Sequence, residues 1–134
     1  MKVIECMTTK IEIVDADASV YDAVERMVDR RIRSLVVRFQ GEEPDYGVIT
    51  ARDVVFKVLA RGEDPRRIKN GEIASRPLVC MSPDTELREV ANRMETSNIA
   101  RVFIREDKDL IGVVALLDVM AATLIARARG DYVS

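Results

Sequence analysis

The sequence predicts an α+β fold built from two tandem β-α-β-β-α repeats. A glycine, a run of apolar residues and an aspartate recur with the same spacing at residues 47–53 and 112–118. Outside this motif, Met27 aligns with Met94 within the preceding helical pattern, so the similarity covers whole repeats. Repetition on this scale indicates two copies of one supersecondary unit.

The repeat lengths also predict the domain organisation. We place the first repeat at 1–64 and the second at 65–134, joined by the polar stretch 62–69. A unit of roughly 60 residues is marginally stable alone. We therefore expect the repeats to pack sheet to sheet as a pseudo-twofold pair, leaving clefts that suit a small ligand.

Composition narrows the function classes. The 134 residues carry a net charge of −2, whereas a dedicated nucleic-acid binder usually has a basic face. No apolar run reaches the ~20 residues of a membrane-spanning helix, and the N-terminus lacks a signal peptide pattern, so we expect a cytoplasmic protein without a membrane partner. The chain has no histidine, and Cys6 and Cys80 are isolated, so we expect buried thiols, no metal site and no enzyme activity.

Each repeat is expected to begin with a short buried strand, at 11–14 and 78–81, followed by an amphipathic helix. Ser19 is the expected cap of the first helix, with Asp22 three residues on. The apolar faces of these two helices share helical spacing. They comprise Val20, Ala23, Val24, Met27 and Val28 in the first repeat and Leu87, Val90, Ala91 and Met94 in the second.

Two further strands and a second helix are expected to complete each repeat. Apolar runs at 35–37 and 102–104 predict strands, and the polar segments 40–45 and 106–109 predict turns to antiparallel partners. Gly62 is a candidate helix stop, as is Gly130. The last helices have apolar positions at Val54, Val55, Val58 and Leu59, and at Val119, Met120, Ala122, Leu124 and Ile125.

The duplicated pattern Gly-apolar-apolar-Thr/Ser-x-x-Asp, in this order of strands and helices, resembles the CBS domain, of which two copies form a Bateman module. Asp17 and Asp84 before the first helices support the resemblance, which covers essentially the whole chain. It implies that the cleft between the repeats binds an adenosine nucleotide of the AMP, ADP or ATP type, with S-adenosylmethionine or NAD as less common ligands. It also implies regulation of an attached or partner protein.

In the family, the motif aspartate accepts hydrogen bonds from the ribose hydroxyls, and the Thr/Ser and helix N-terminus meet phosphate. Carried over residue by residue, the resemblance implies that an arginine from the opposite repeat closes the first site. Each hydrogen bond to an ionised carboxylate contributes about 1.5–3 kcal/mol, and guanidinium groups suit phosphate. The implied first site comprises Lys10, Ile11, Ile32, Arg33, Thr50, Asp53 and Arg101.

The implied second site is weaker. Ala115 stands where the first repeat has Thr50, and Ala100 stands where it has Arg33. A neutral or less phosphorylated ligand, or none, would fit better. The residues implied for this site are Leu78, Ile99, Arg101, Asp118 and Ser34.

A plain helix cap is the alternative interpretation of Thr50 and Asp53, because Thr-x-x-Asp is also a capping box. Ala115 cannot cap, so we expect reciprocal capping not to account for Asp118. Arg33 and Arg101 have an alternative as solvated charges on strand edges.

The leading functional hypothesis is a regulatory module that senses an adenosine nucleotide and signals to an effector protein that the sequence does not identify. The resemblance also implies a homodimer through the helices that follow the Asp53 and Asp118 motifs. The alternative is a structural dimerisation adaptor without ligand binding, for which the depleted second site argues. A nucleic-acid binder using the linker arginines ranks third and an enzyme last.

Overall fold

The computed structural model describes residues 1–43 and 45–130, and the chain forms two compact units. One comprises Glu12–Leu78, and the other comprises Met1–Ile11 together with Val79–Ser134. The mixed α+β content confirms the predicted fold class. In chain order the elements are β1 (Ile13–Asp15), α1 (Val20–Arg30), β2 (Ser34–Phe39), β3 (Asp45–Thr50), α2 (Ala51–Val54), α3 (Asn70–Ile73), β4 (Cys80–Met81), α4 (Leu87–Ser97), β5 (Arg101–Glu106), β6 (Asp109–Ala115) and α5 (Leu116–Arg129).

In the part of the chain that the structure describes, each unit contains a three-stranded sheet. The orders are β1-β2-β3 and β4-β5-β6, with the first pair parallel and the second antiparallel in both. The observed β1 and β4 are shorter than the predicted strands 11–14 and 78–81. Leu78 lies outside β4 because its N–H bonds to the carbonyl of Tyr46 in β3. The predicted turn 40–45 contains Pro44, which lies outside the described residues.

The helical faces follow the prediction with two kinds of exception, one in α1 and one in the last helices. Ser19 caps α1 by accepting from the Asp22 N–H at 3.2 Å, as predicted. Val28, predicted on the buried face of α1, is 69% exposed, because it follows Met27 at the edge of the apolar stripe. Several apolar residues of the last helices are also exposed: Val55, Leu59, Met120 and Leu124. Each unit has its own core cluster, centred on Leu35, Val37 and Ile49 in one and on Val102, Ile104 and Val114 in the other.

Residues 1–11 belong to the unit that contains the second motif, and residues 65–78 belong to the unit that contains the first. We call these two stretches the exchanged segments. Thr8 exchanges backbone hydrogen bonds with Val113 of β6 at 2.9 and 2.8 Å, while Ser75 exchanges two at 2.9 Å with Val48 of β3. The first of these segments contains a 3-10 turn over Val3–Glu5, and the second contains α3. The compact units therefore differ from the sequence ranges 1–64 and 65–134.

The motif glycines are where these segments approach the sheets. A Cβ on Gly47 would lie 2.6 Å from the Ser75 carbonyl oxygen, and one on Gly112 would lie 2.5 Å from the Met7 sulfur. Contacts this short are not tolerated between a real Cβ and a neighbouring atom. Close packing against the Ser75 backbone at Gly47, and mainly against the Met7 side chain at Gly112, therefore explains the glycine of each motif independently of any ligand.

The helices after the two motifs differ in form. α2 continues as a π-helical stretch over Val55–Leu59, whereas α5 is a regular helix that ends at Gly130 in the left-handed conformation, as predicted. Within the described residues, no helix is long and apolar enough to cross a membrane.

Candidate functional site

The first motif forms a complete capping box at the start of α2. The Thr50 Oγ1 accepts from the Asp53 N–H at 3.2 Å, and the Asp53 Oδ2 accepts from the Thr50 N–H at 2.9 Å. The Thr50 hydroxyl also donates to the same Oδ2 at 3.0 Å. The capping alternative raised by the sequence is therefore present in the structure, and it fixes the orientation of the carboxylate.

The second carboxylate oxygen of Asp53 has a partner that the sequence analysis missed. Lys57 Nζ lies 3.0 Å from Asp53 Oδ1, one turn along the helix. The Asp53 side chain is only 15% exposed, whereas that of Lys57 is 40% exposed. Lys57 Nζ also donates to the Ile73 carbonyl of α3 at 3.0 Å. The i, i+4 spacing of an acid and a base was the available signal for this pair.

The edge of the β1-β2-β3 sheet brings Arg33 beside this motif. The Ala51 N–H donates to the Arg33 carbonyl at 2.9 Å, and Ser34 lies opposite Thr50 in the antiparallel register. Arg33 itself is exposed. The backbone of Arg33 and the largely buried carboxylate of Asp53 therefore adjoin the start of one helix, within one unit.

The second motif has the same backbone and fewer side-chain contacts. The Leu116 N–H donates to the Ala100 carbonyl at 3.1 Å, and Arg101 lies opposite Ala115. The Asp118 Oδ2 accepts from the Ala115 N–H at 2.8 Å. The place of Lys57 is taken by Ala122, which is fully buried.

This geometry bears on whether a helix cap explains Asp118. Ala115 has no side-chain oxygen with which to cap α5, but Asp118 still accepts its backbone N–H. Half of the capping box therefore survives without a hydroxyl residue, because the returning bond needs only a backbone donor. The reciprocal bond is absent, but the one-way bond gives Asp118 a structural role beside the predicted ligand binding, which the sequence analysis did not include.

The structure divides the implied site residues between the units. Ile32, Arg33, Thr50 and Asp53 of the first site lie in the unit Glu12–Leu78, and so do Ser34 and Leu78 of the second. Ile99, Arg101 and Asp118 lie in the other unit, together with Lys10 and Ile11. Ligand binding by these residues stays a prediction, as does the contribution of residues from both units to one site.

Cys6 lies near the second motif, in the exchanged N-terminal segment. Burial raises the pKa of its thiol, and the negative charges of Asp118 and Glu5 raise it further. Cys6 and Cys80 are both only partly buried, rather than buried as expected. Among the described residues, no cluster of three or more histidine, cysteine, aspartate or glutamate side chains could hold a metal ion.

Two of the surface grooves in the part of the chain that the structure describes lie along helices. One, of about 480 Å³, runs along α1 and is lined by charged side chains, but its arginines are engaged: Arg26 donates to the Ile13 carbonyl at 2.7 Å and Arg30 to Glu12 at 2.6 Å. The other, of about 390 Å³, is mainly apolar and lies between α4 and α5. It includes Ile99, Leu116 and Met120, which gives the predicted second-site residue Ile99 an apolar surrounding.

The sequence was compared with protein families and with curated proteins. The model of the CBS domain matches residues 3–60 and 71–124. The "CBS domain-containing protein CBSX3, mitochondrial" of Arabidopsis thaliana is 32% identical over 111 residues, covering 81% of this chain and 54% of the relative. The chain thus spans about half the length of the curated relatives it matches.

Solved structures share the architecture. The hexameric CBS-CP12 protein from bloom-forming cyanobacteria superposes with a TM-score of 0.78 and 31% identity, over 90% of this chain and 69% of that one. Hypoxic Response Protein I, solved with two coordinated zinc ions, gives a TM-score of 0.77 and 25% identity, over 90% of this chain and 98% of that one.

Proposed function

The chain belongs to the CBS domain family, and we propose that it is a regulatory module that binds an adenosine nucleotide of the AMP, ADP or ATP type and signals its occupancy to a partner protein. Proteins with paired CBS domains are commonly regulatory ligand-binding modules. The adenosine specificity and the partner are the parts that we add. The proposed compartment is the cytoplasm.

The observation that carries this proposal is the placement of Asp53 and Arg33 at one end of one sheet. A carboxylate offers about four acceptor positions, so Asp53 retains acceptor capacity beside the cap. An ionised carboxylate suits a vicinal diol, because hydrogen bonds to a charged group are the stronger kind. The exposed guanidinium of Arg33 suits a phosphate, which it can bind through two parallel hydrogen bonds.

Calorimetry with AMP, ADP, ATP, NAD and S-adenosylmethionine would test the proposal. We expect Asp53→Ala to weaken nucleotide binding at least tenfold, about 1.4 kcal/mol. Because Asp53 also caps α2, Asp53→Asn is the cleaner companion, since its amide oxygen can still accept the Thr50 N–H. Asp118→Ala is the matched control and should matter much less to a phosphorylated ligand. Unchanged affinity in both Asp53 variants would contradict the assignment.

The adaptor alternative makes an opposite prediction for stability. A ligand present at 100 times its dissociation constant adds roughly 2.7 kcal/mol to the free energy of unfolding. A structural adaptor without a ligand site would show no such gain with any compound of the panel. Thermal unfolding with and without each compound therefore separates the two functions.

We also propose that the module forms a homodimer through the helices that follow the motifs. Exposed apolar side chains are concentrated there, and α5 borders the apolar groove beside α4. An exposed apolar surface of this kind marks an interaction site. The side chains concerned are Val55, Phe56 and Leu59 after the first motif and Leu116, Leu117, Met120 and Leu124 after the second.

Sedimentation analysis of a double variant tests this interface. Leu117→Glu with Met120→Glu places two charges on side chains that are 72% and 68% exposed, so each subunit should fold but the dimer should dissociate. Val28→Glu is the matched control, because Val28 is 69% exposed on α1, outside the proposed interface. A double variant that sediments as the wild type does would reject the interface.

A further inference from the structure

We infer that Lys57 is a displaceable counter-ion of the first motif, which a ribose diol must replace in order to bind Asp53. This inference rests on the proposed function, because it assumes that Asp53 receives the sugar. Lys57 is not among the site residues that the family resemblance implies. The structure places its ammonium group between the motif carboxylate and the end of α3.

The acceptor positions of Asp53 show why one of its present hydrogen-bond donors must leave before a diol can bind. Oδ2 already accepts from the N–H and from the hydroxyl of Thr50, and Oδ1 accepts from Lys57. A carboxylate has about four lone-pair positions, so one remains. A vicinal diol donates two hydrogen bonds. One existing donor must therefore be released before both hydroxyls can bind.

Lys57 is the donor most easily released. The two donors of Thr50 belong to the capping box, and removing them would disturb the start of α2. Lys57, by contrast, is 40% exposed and lies on a flexible stem, so its ammonium can move into water. An ion pair with an exposed partner is weak, because water and salt screen the two charges.

The release has a consequence for α3. The last carbonyl groups of a helix have no partner within it, and Lys57 supplies a donor to the Ile73 carbonyl. Ile73 is buried, and Ser75, two residues later, is paired with Val48 of β3. Loss of the Lys57 contact should therefore loosen the segment 70–75 when the sugar binds. Occupancy of Asp53 is thereby coupled to the exchanged segment 65–78.

Equilibrium dialysis with adenosine tests the competition, because adenosine carries the diol without phosphate charge. We expect Lys57→Met to bind adenosine roughly two- to fivefold more tightly than the wild type, the factor that corresponds to a pair of this strength. The variant should not gain affinity for 2′,3′-dideoxyadenosine, which lacks the diol. A merely structural role for Lys57 would not separate the two nucleosides.

Lys69→Met is the matched control. It removes the same charge from the same unit, and Lys69 lies 3.9 Å from Asp17 in a pair that is largely exposed. Its adenosine affinity should equal that of the wild type. A gain in Lys69→Met as large as that in Lys57→Met would overturn the inference, and so would an unchanged or lower affinity in Lys57→Met.

Hydrogen exchange provides the second readout. In the wild type, adenosine should increase amide exchange in residues 70–75, whereas Lys57→Met should show raised exchange without ligand and no further rise with it. Slower exchange in this segment of the wild type on binding would overturn the coupling. If neither the wild type nor the variant binds adenosine or ADP at millimolar concentration, the proposed function fails; if both bind equally, only the role of Lys57 fails.

Discussion

Asp53 and Asp118 occupy the same place in the two repeats, but their carboxylates are held differently. Asp53 accepts two hydrogen bonds from Thr50 and pairs with Lys57, whereas Asp118 accepts one hydrogen bond, from the Ala115 N–H, among the described residues. The more complete motif thus has the less available carboxylate. A match to a ligand-binding pattern therefore does not show whether the acceptor positions of the carboxylate are available to a ligand.

The two motifs also differ in the position of the neighbouring arginine. Arg33 adjoins the first motif through its carbonyl bond to Ala51, while the second repeat has Ala100 there and Arg101 opposite Ala115. The first motif therefore combines an occupied carboxylate with an arginine at the adjoining residue of the sheet edge. The second motif combines a freer carboxylate with a cation on the neighbouring strand.

The largest expected difference between the repeats concerns the motif glycines. In Gly47→Ala the new Cβ would lie 2.6 Å from a backbone oxygen, that of Ser75, which cannot move without breaking its pairing with β3. In Gly112→Ala the nearest atom is the flexible Met7 sulfur, although the Thr8 carbonyl oxygen lies 3.1 Å away. We expect Gly47→Ala to lower the free energy of unfolding by about 1–3 kcal/mol and Gly112→Ala by less.

Urea denaturation of the two variants would measure this difference. Gly41→Ala is the control in the same unit, because its nearest neighbour would be the Glu43 carbonyl oxygen at an ordinary 3.7 Å. Equal losses for Gly47→Ala and Gly112→Ala would show that Met7 is as rigid as the backbone of Ser75.

Exchanging the capping residues should make each motif resemble the other. Thr50→Ala removes the acceptor of the Asp53 N–H, which should destabilise the protein by about 1 kcal/mol. Ala115→Thr supplies the missing acceptor at the start of α5, where the backbone already has an extended capping conformation, and should stabilise by up to about 1 kcal/mol. Thermal unfolding of both variants checks the signs. A destabilised Ala115→Thr variant would indicate that the hydroxyl does not reach the Asp118 N–H.

The repeat, the order of strands and helices along the chain and the cap of α1 could be predicted, because each depends on local pattern. Ser19 with Asp22 is a cap readable from spacing, and the buried runs of β2 and β5 are strongly apolar. The exchanged segments could not be predicted, because turns as short as Val3–Glu5 and α3 have no periodicity. Their position depends on pairing with β3 and β6, a tertiary contact.

At the candidate site, the residue types could be predicted, but the hydrogen bonds that already occupy their acceptor positions could not. Thr50 and Asp53 were identified from the motif, but the capping bonds and Lys57 decide which acceptor positions remain. The apolar residues of the last helices were likewise predictable, but their solvent exposure was not. Val55 and Met120 fit the helical pattern, yet both are exposed. A pattern shows which side chains share a helix, but only packing shows which face is covered.

The smallest expected effect concerns the exchanged N-terminal segment. The pKa of Glu5 lies below its ordinary value near 4.5, because its carboxylate accepts the Lys2 N–H and pairs with Arg129 of α5 at 2.7 Å. Ionised Glu5 therefore stabilises the folded state above pH 4.5, and this contribution is lost as the pH falls through the lowered pKa of the folded state. Glu5→Gln should be less stable than the wild type at pH 7, and the difference should shrink towards pH 3. Arg129→Met should show the same trend in urea denaturation, whereas a difference that grows on acidification would contradict this role for Glu5.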